Sequence, residues 1–149
     1  MAYLHNNLDY KKIILNTDDA NVVNTDKTEF IFNDLKNITI KKPSYLKFDS
    51  ISANITTLKI DNIYTVKVDG LNYNKSCYYN SDKNGIPTVV SQCFNGKSST
   101  HLGNFGLELV EQDIPNIKLI IKDTNGIGLV ESGERLSISL MIEDIPTPM

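Results

Sequence analysis

Residues 135–143, Arg135-Leu136-Ser137-Ile138-Ser139-Leu140-Met141-Ile142-Glu143, decide the fold class of this chain. Every second position holds an aliphatic residue, and most of the positions between them are charged or carry a hydroxyl group. Successive side chains of a β-strand point to opposite faces of the sheet. The alternation therefore predicts a strand with one buried face and one solvated face.

The segment before it has the same two-residue period. Ile117, Leu119 and Ile121 share one face, and Asp123-Thr124-Asn125-Gly126 then supplies turn residues. Asn and Gly suit a turn because they adopt positive φ angles at low cost. We therefore expect two antiparallel strands within residues 116–144, joined by a loop of moderate length.

Further upstream, short runs rich in β-branched and aromatic residues are separated by Asn, Asp and Gly. These runs predict strands at residues 12–15, 28–32, 37–41, 45–52, 62–68 and 86–94, and residues 106–110 suit either a strand or one helical turn. We interpret the polar segments 73–85 and 95–104 as long loops at one end of the molecule, where binding residues tend to lie.

About eight or nine short strands at near-regular spacing predict an all-β fold, a two-sheet antiparallel sandwich. We expect an eight-stranded jelly roll. A Greek-key sandwich of the immunoglobulin type has the same local pattern, so strand order stays open at this point. The 149 residues are expected to form a single domain, with an N-terminal arm at residues 1–10 and a tail at residues 145–149.

The charge of the chain argues against nucleic acid as a partner. The formal net charge is −3, and the densest basic spots, Lys11-Lys12 and Lys41-Lys42, are small. No apolar run approaches the roughly 18 residues of a membrane span. The N-terminus lacks the apolar core of a signal peptide, so we expect the protein to be made and kept in the cytosol.

The sequence offers no pattern for catalysis, a metal or a cofactor. His5 and His101 lack a partner at ligand spacing, and Cys77 and Cys93 are the only thiols. Whether these two cysteines form a disulfide stays open. We interpret Asp18-Asp19 as turn residues rather than as calcium ligands, because Asp favours turns for backbone reasons. We therefore expect no catalytic residues, no metal and no cofactor.

Tyr73, Tyr78 and Tyr79 lie close to three asparagines in the sequence. Tyrosine and asparagine together in a loop suit a contact with a protein or a sugar. Equally, the rings can pack beneath their own loop, and both interpretations are kept.

The C-terminal third carries a family resemblance. Lys118-Leu119-Ile120-Ile121-Lys122-Asp123, Asn125-Gly126 and Glu134-Arg135-Leu136-Ser137-Ile138-Ser139-Leu140 resemble the small jelly-roll capsid proteins of large DNA viruses and virophages. In that family a single vertical jelly roll forms the penton, a pentamer at each vertex, and related proteins are minor capsid components beneath the shell. As strand rhythm, the resemblance covers most of the chain.

The resemblance implies a non-enzymatic subunit of the virion, assembled in the host cytoplasm, whose partners are copies of itself and other capsid proteins. Candidate contacts are strand 28–32, which carries Phe30 and Phe32, and loop 73–79, which carries the tyrosines. The alternative is a ligand-binding β-sandwich, such as a carbohydrate-binding or receptor-binding module, and the same Tyr/Asn loop supports it. An enzyme is the least favoured class.

Overall fold

A computed structural model describes residues 10–33, 35, 38–54, 63–74, 88–92, 97–101, 106–123 and 125–145. Within them, the regular structure is β-strand except for one 3-10 turn at Thr17–Asp19. The strands are β1 (Tyr10–Asn16), β2 (Val22–Val23), β3 (Glu29–Phe32), β4 (Thr39–Ile40), β5 (Ser44–Asn54), β6 (Ile63–Asp69), β7 (Thr88–Gln92), β8 (Lys97–His101), β9 (Gly106–Leu109), β10 (Gln112–Asp113), β11 (Ile117–Asp123) and β12 (Arg135–Asp144). The expected all-β fold is confirmed.

The strands form two five-stranded sheets and one small ladder, and every pair is antiparallel. The first sheet has the order β1-β12-β5-β8, with β9 pairing to the other half of β5. The second sheet has the order β2-β3-β11-β6-β7. Strands β4 and β10 pair only with each other.

The core lies between the two sheets, because both turn an aliphatic face inward. Leu136, Ile138 and Leu140 of β12 are fully buried, as are Leu119 and Ile121 of β11. All five belong to one continuous cluster of apolar side chains. The alternation that predicted these strands therefore identifies the buried face of each sheet correctly, and the sandwich follows from it.

The two C-terminal strands do not pair with each other. Strand β11 lies in the second sheet and β12 in the first, so the chain crosses from one layer to the other between Asp123 and Arg135. Both expected strands exist, but they do not form the expected antiparallel pair, and their hydrogen-bonding partners are distant in sequence. Period-2 alternation defines which face of a strand is buried and says nothing about which strand lies beside it.

Three strands and one boundary differ from the sequence-based expectation, and two of these strands, β2 and β10, have only two residues each. Residues 97–101, part of an expected loop, form β8 and pair with β5 from Ser50 to Asn54. Their sequence, Lys-Ser-Ser-Thr-His, has no apolar alternation, so the pairing comes from the backbone of β5. Tyr10, expected in the arm, already belongs to β1 and pairs with Glu143. Residues 1–9 and 146–149 lie outside the described residues.

A β-bulge interrupts the pairing between β5 and β12. Ser139 pairs with Ser50, whereas Leu140 pairs with Phe48, so Asp49 is the extra residue. A bulge of this kind moves the following side chains to the opposite phase of the pleat. For this reason Leu46 and Ile51 both face the core although they are five positions apart.

Candidate interaction surfaces

The described residues contain no group of three or more His, Cys, Asp or Glu side chains placed to hold a metal ion. His5, Cys77 and Cys93 lie outside the described residues, and His101 is the last residue of β8.

Phe30 and Phe32, candidate contact residues on sequence grounds, have buried side chains. Their exposed fractions are 4% and 5%, and both rings belong to the core cluster between the sheets. A partner cannot reach them in the folded chain, so their place in the core corrects that expectation. Strand β3 lies between β2 and β11, so its backbone is also paired on both sides.

Tyr73 is fixed by hydrogen bonds to neighbouring strands of its own chain. It forms an isolated antiparallel bridge with Leu109, and its hydroxyl donates to the Val68 carbonyl at 2.9 Å. The ring packs against the core cluster and is partly buried. For this tyrosine, packing beneath the loop is the interpretation that the geometry supports. Tyr78 and Tyr79 lie outside the described residues.

The polar residues around Tyr73 are tied together by side-chain hydrogen bonds. Gln112 Nε2 donates to the carbonyls of Asn72 and Val110, and Gln112 Oε1 accepts from the Asn72 backbone N–H at 2.8 Å. Asn74 Nδ2 donates to Glu108 Oε2 at 2.8 Å. These bonds hold residues 72–74, which follow β6, against residues 108–112, which run from β9 to β10. We call this end of the sandwich the braced end.

The opposite end presents apolar side chains to solvent. Ile127 and Val130, in the 125–134 loop, are exposed at this end, whereas the exposed Val22 and Val23 lie on β2, level with Lys118 and Leu119 near the start of β11. The loop is packed on the turn between β2 and β3, because the Leu129 N–H donates to the Lys27 carbonyl at 3.0 Å. Exposed aliphatic side chains on an edge strand and on a loop are both within reach of a partner protein.

The outer face of the first sheet carries ion pairs and one prominent aliphatic side chain. Lys47 pairs with Glu143 at 2.7 Å, and Lys12 pairs with Asp49 at 3.7 Å. Ile14, on the edge strand β1, is 66% exposed, more than any other large apolar side chain among the described residues. In the strand predicted at residues 12–15, Ile14 is the aliphatic residue out of phase with Ile13 and Leu15.

The fold brings the two lysine pairs to one place, which we call the basic corner (Lys11, Lys12, Lys41 and Lys42). Lys11 Nζ donates to the Thr39 carbonyl at 3.0 Å, two residues before Lys41. Lys42 Nζ forms an ion pair with Asp144 at 3.3 Å. Asp144 directly follows Glu143, the strand partner of Tyr10 at the start of β1. Separately each pair is small; together they give the start of β1 a local positive charge.

Carboxylates lie at the other end of β1, in a group that we call the acidic end (Asp18, Asp19 and Glu131). Asp18 and Asp19 follow the strand directly, and Asp18 lies 3.9 Å from Arg135 Nη1. Glu131 begins the turn that precedes β12. The Glu134 N–H closes this turn by donating to the Glu131 carbonyl. The side chains of Asp19 and Glu131 are exposed, and neither forms an ion pair within the described residues.

Comparison with models of known protein families and with curated proteins gave no match for this chain. Among the described residues, no helix has the length and apolar character needed to cross a bilayer. The class that the fold defines is an all-β antiparallel sandwich.

Proposed function

We propose that this chain is a structural capsid subunit built on a single jelly roll. The observation that carries the proposal is the nesting of its strand pairs. The first long strand pairs with the last, β1 with β12; the next pairs inward are β3 with β11, β5 with β8 and β9, and β6 with β7. Nesting of this kind is expected for a long antiparallel hairpin rolled into two sheets, and it therefore supports a jelly roll.

The strand order also favours this topology over the immunoglobulin-like alternative. In an immunoglobulin sandwich the first two strands are neighbours in one sheet. In this chain β1 and β3 lie in different sheets, and β12 separates β1 from β5. Since the jelly roll is the shared architecture of the capsid proteins that the C-terminal third resembles, topology and residue pattern support the same class.

The exposed side chains support a role in assembly with other subunits rather than in catalysis. The exposed aliphatic side chains on edge strand β2 and in the 125–134 loop suit contacts with another protein. Val22 lies on the edge strand of the second sheet, where a neighbouring subunit has direct access. The capsid partners and the virion location proposed here rest on the resemblance together with these features.

The test is the assembly state of the full chain, measured by sedimentation velocity and negative-stain electron microscopy over a concentration series. We expect discrete closed oligomers whose population rises with concentration, and smaller oligomers for Val130→Asp. A matched control is Ile127→Ser, which shortens an exposed side chain without adding charge. A strict monomer at the highest soluble concentration, together with glycan binding that Tyr78→Ala abolishes, would overturn the capsid proposal in favour of a sugar-binding module.

A further inference from the structure

Among the described residues, strand β1 is an open edge of the first sheet. Within the described residues, β12 is the only strand that pairs with it, and all seven residues Tyr10–Asn16 take part in that pairing. The other side of an edge strand presents unpaired N–H and C=O groups, which form a template for another strand. With seven residues, β1 is longer than the other edge strands, since β7 and β8 have five residues each, β9 four and β2 two.

The usual protection of an edge is weak in β1. Lysines on edge strands normally discourage pairing because their charges would be desolvated. Here Lys11 Nζ is turned to the Thr39 carbonyl and Lys12 Nζ to Asp49, so both lysines bend back onto their own subunit. The middle of the strand instead presents Ile14, which is largely exposed. An exposed aliphatic residue at the centre of an open edge favours burial against a partner strand.

The charges along β1 indicate which partner suits this edge. The basic corner lies at the start of the strand and the acidic end follows its last residue. The two groups are about 20 Å apart, because the strand has seven residues and rises ~3.3 Å per residue. A two-fold axis through the centre of β1 would reverse a second copy of the strand. The basic corner of each subunit would then lie beside the acidic end of the other, at two equivalent places.

We infer that β1 is a dimerisation edge and that its partner is β1 of a second copy, antiparallel and centred on Ile14. The contact would join two five-stranded sheets into one continuous sheet and place Ile14 beside its symmetry mate. Such an isologous contact is self-complementary, as two-fold interfaces require. The inference rests on the self-association proposed above and adds to it the identity of one contact.

A cysteine cross-link tests the register. Directly opposed residues in an antiparallel pair have Cα atoms about 4.5–5.5 Å apart, within the roughly 4.4–6.8 Å range of disulfides. Ile14→Cys should therefore form a disulfide-linked dimer under mild oxidation, whereas the wild type should not. Val110→Cys, an exposed apolar site at the braced end, is the matched control and should stay unlinked. Equal cross-linking of the two variants would overturn the inference.

Charge exchange tests the orientation. Lys41→Glu or Asp19→Lys alone places like charges together at both ends of the contact and should weaken dimerisation at low salt roughly tenfold. Neither side chain forms an ion pair within the described residues, so folding should be unaffected.

Mixing the two variants should restore association to near the wild-type level. In the mixed dimer, the substituted position 41 of one subunit lies beside the substituted position 19 of the other, so opposite charges meet there. At the second place, Lys41 and Asp19 are both unchanged and keep the wild-type pairing. Failure of the mixture to recover would refute the antiparallel arrangement.

The two proposals fail separately. Closed oligomers of the wild type with no Ile14→Cys cross-link would refute the β1 contact and leave the capsid proposal standing. A cross-linked dimer that never grows into larger oligomers, and that binds no shell protein, would support the β1 contact and refute the capsid proposal.

Discussion

Replacing Gly128 with alanine is expected to detach the 125–134 loop from the turn between β2 and β3. A Cβ atom built on Gly128 would lie 2.1 Å from the Lys27 carbonyl oxygen, 2.6 Å from its carbon and 2.9 Å from the Asp26 carbonyl oxygen. All three atoms belong to the backbone, so no side-chain rotation relieves the overlap. The loop must move by about 1 Å or more to restore ordinary contact distances.

The magnitude follows from what that movement breaks. The Leu129 N–H donates to the Lys27 carbonyl at 3.0 Å, and the Leu129 side chain is only 2% exposed. Loss of the hydrogen bond costs about 1 kcal/mol, and exposing much of a leucine side chain costs ~1.5–3 kcal/mol. Gly128→Ala should therefore lower the free energy of unfolding by about 2–4 kcal/mol, a large share of the ~5–15 kcal/mol typical of a domain.

The assay is urea unfolding followed by far-ultraviolet circular dichroism, since the chain has no tryptophan to report on the core. Gly126→Ala is the matched control. Gly126 has a φ of +82° and no heavy atom within 4 Å of a built Cβ, so only backbone strain of about 1 kcal/mol is expected there. If Gly128→Ala is no more destabilising than Gly126→Ala, the loop does not pack on Lys27 as described.

Three further substitutions test the roles that the structure gives to named side chains. Phe30→Ala should lower the free energy of unfolding by about 3–5 kcal/mol, because the ring lies in the core; a stable variant defective only in assembly would return Phe30 to the contact surface. Thr17→Val should cost ~1–3 kcal/mol, since Thr17 Oγ1 accepts the buried Leu136 N–H at 3.0 Å; an unchanged unfolding midpoint would speak against that bond. Tyr73→Phe should cost about 1 kcal/mol through loss of the bond to the Val68 carbonyl, and an unchanged stability with loss of a ligand would restore its binding role.

Local alternation predicted the buried face of each long strand. Leu136 and Ile138, and likewise Leu119 and Ile121, are assigned to buried faces by the two-residue period alone, and all four are fully buried. The period works because the side chains of a strand alternate between the two faces of its sheet, and only one of these faces packs against the core. It failed for residues 97–101, where β5 supplies the pairing and the side chains carry no apolar signal.

The bulge at Asp49 leaves a signal in the sequence, although the strand predicted at residues 45–52 contains no bulge. Leu46 and Phe48 occupy even positions and Ile51 and Ala53 odd positions, so the apolar phase of the strand changes between 48 and 51. A change of phase within one strand indicates an inserted residue. The pairing partners were beyond prediction, because β1 pairs with β12 across more than a hundred residues and strand order leaves no local trace.

The sequence likewise gives the net charge of the chain but not which charged residues lie together in the fold. The net charge of −3 describes the whole chain, but at physiological ionic strength the interaction between exposed charges extends over only about 8 Å. The two ends of β1 are about 20 Å apart, so the basic corner and the acidic end act on a neighbouring subunit independently of each other. An overall negative charge therefore does not imply that two copies repel at this edge. It follows that added salt should weaken the β1 contact by screening its two ends, while the strand hydrogen bonds and the paired Ile14 side chains persist.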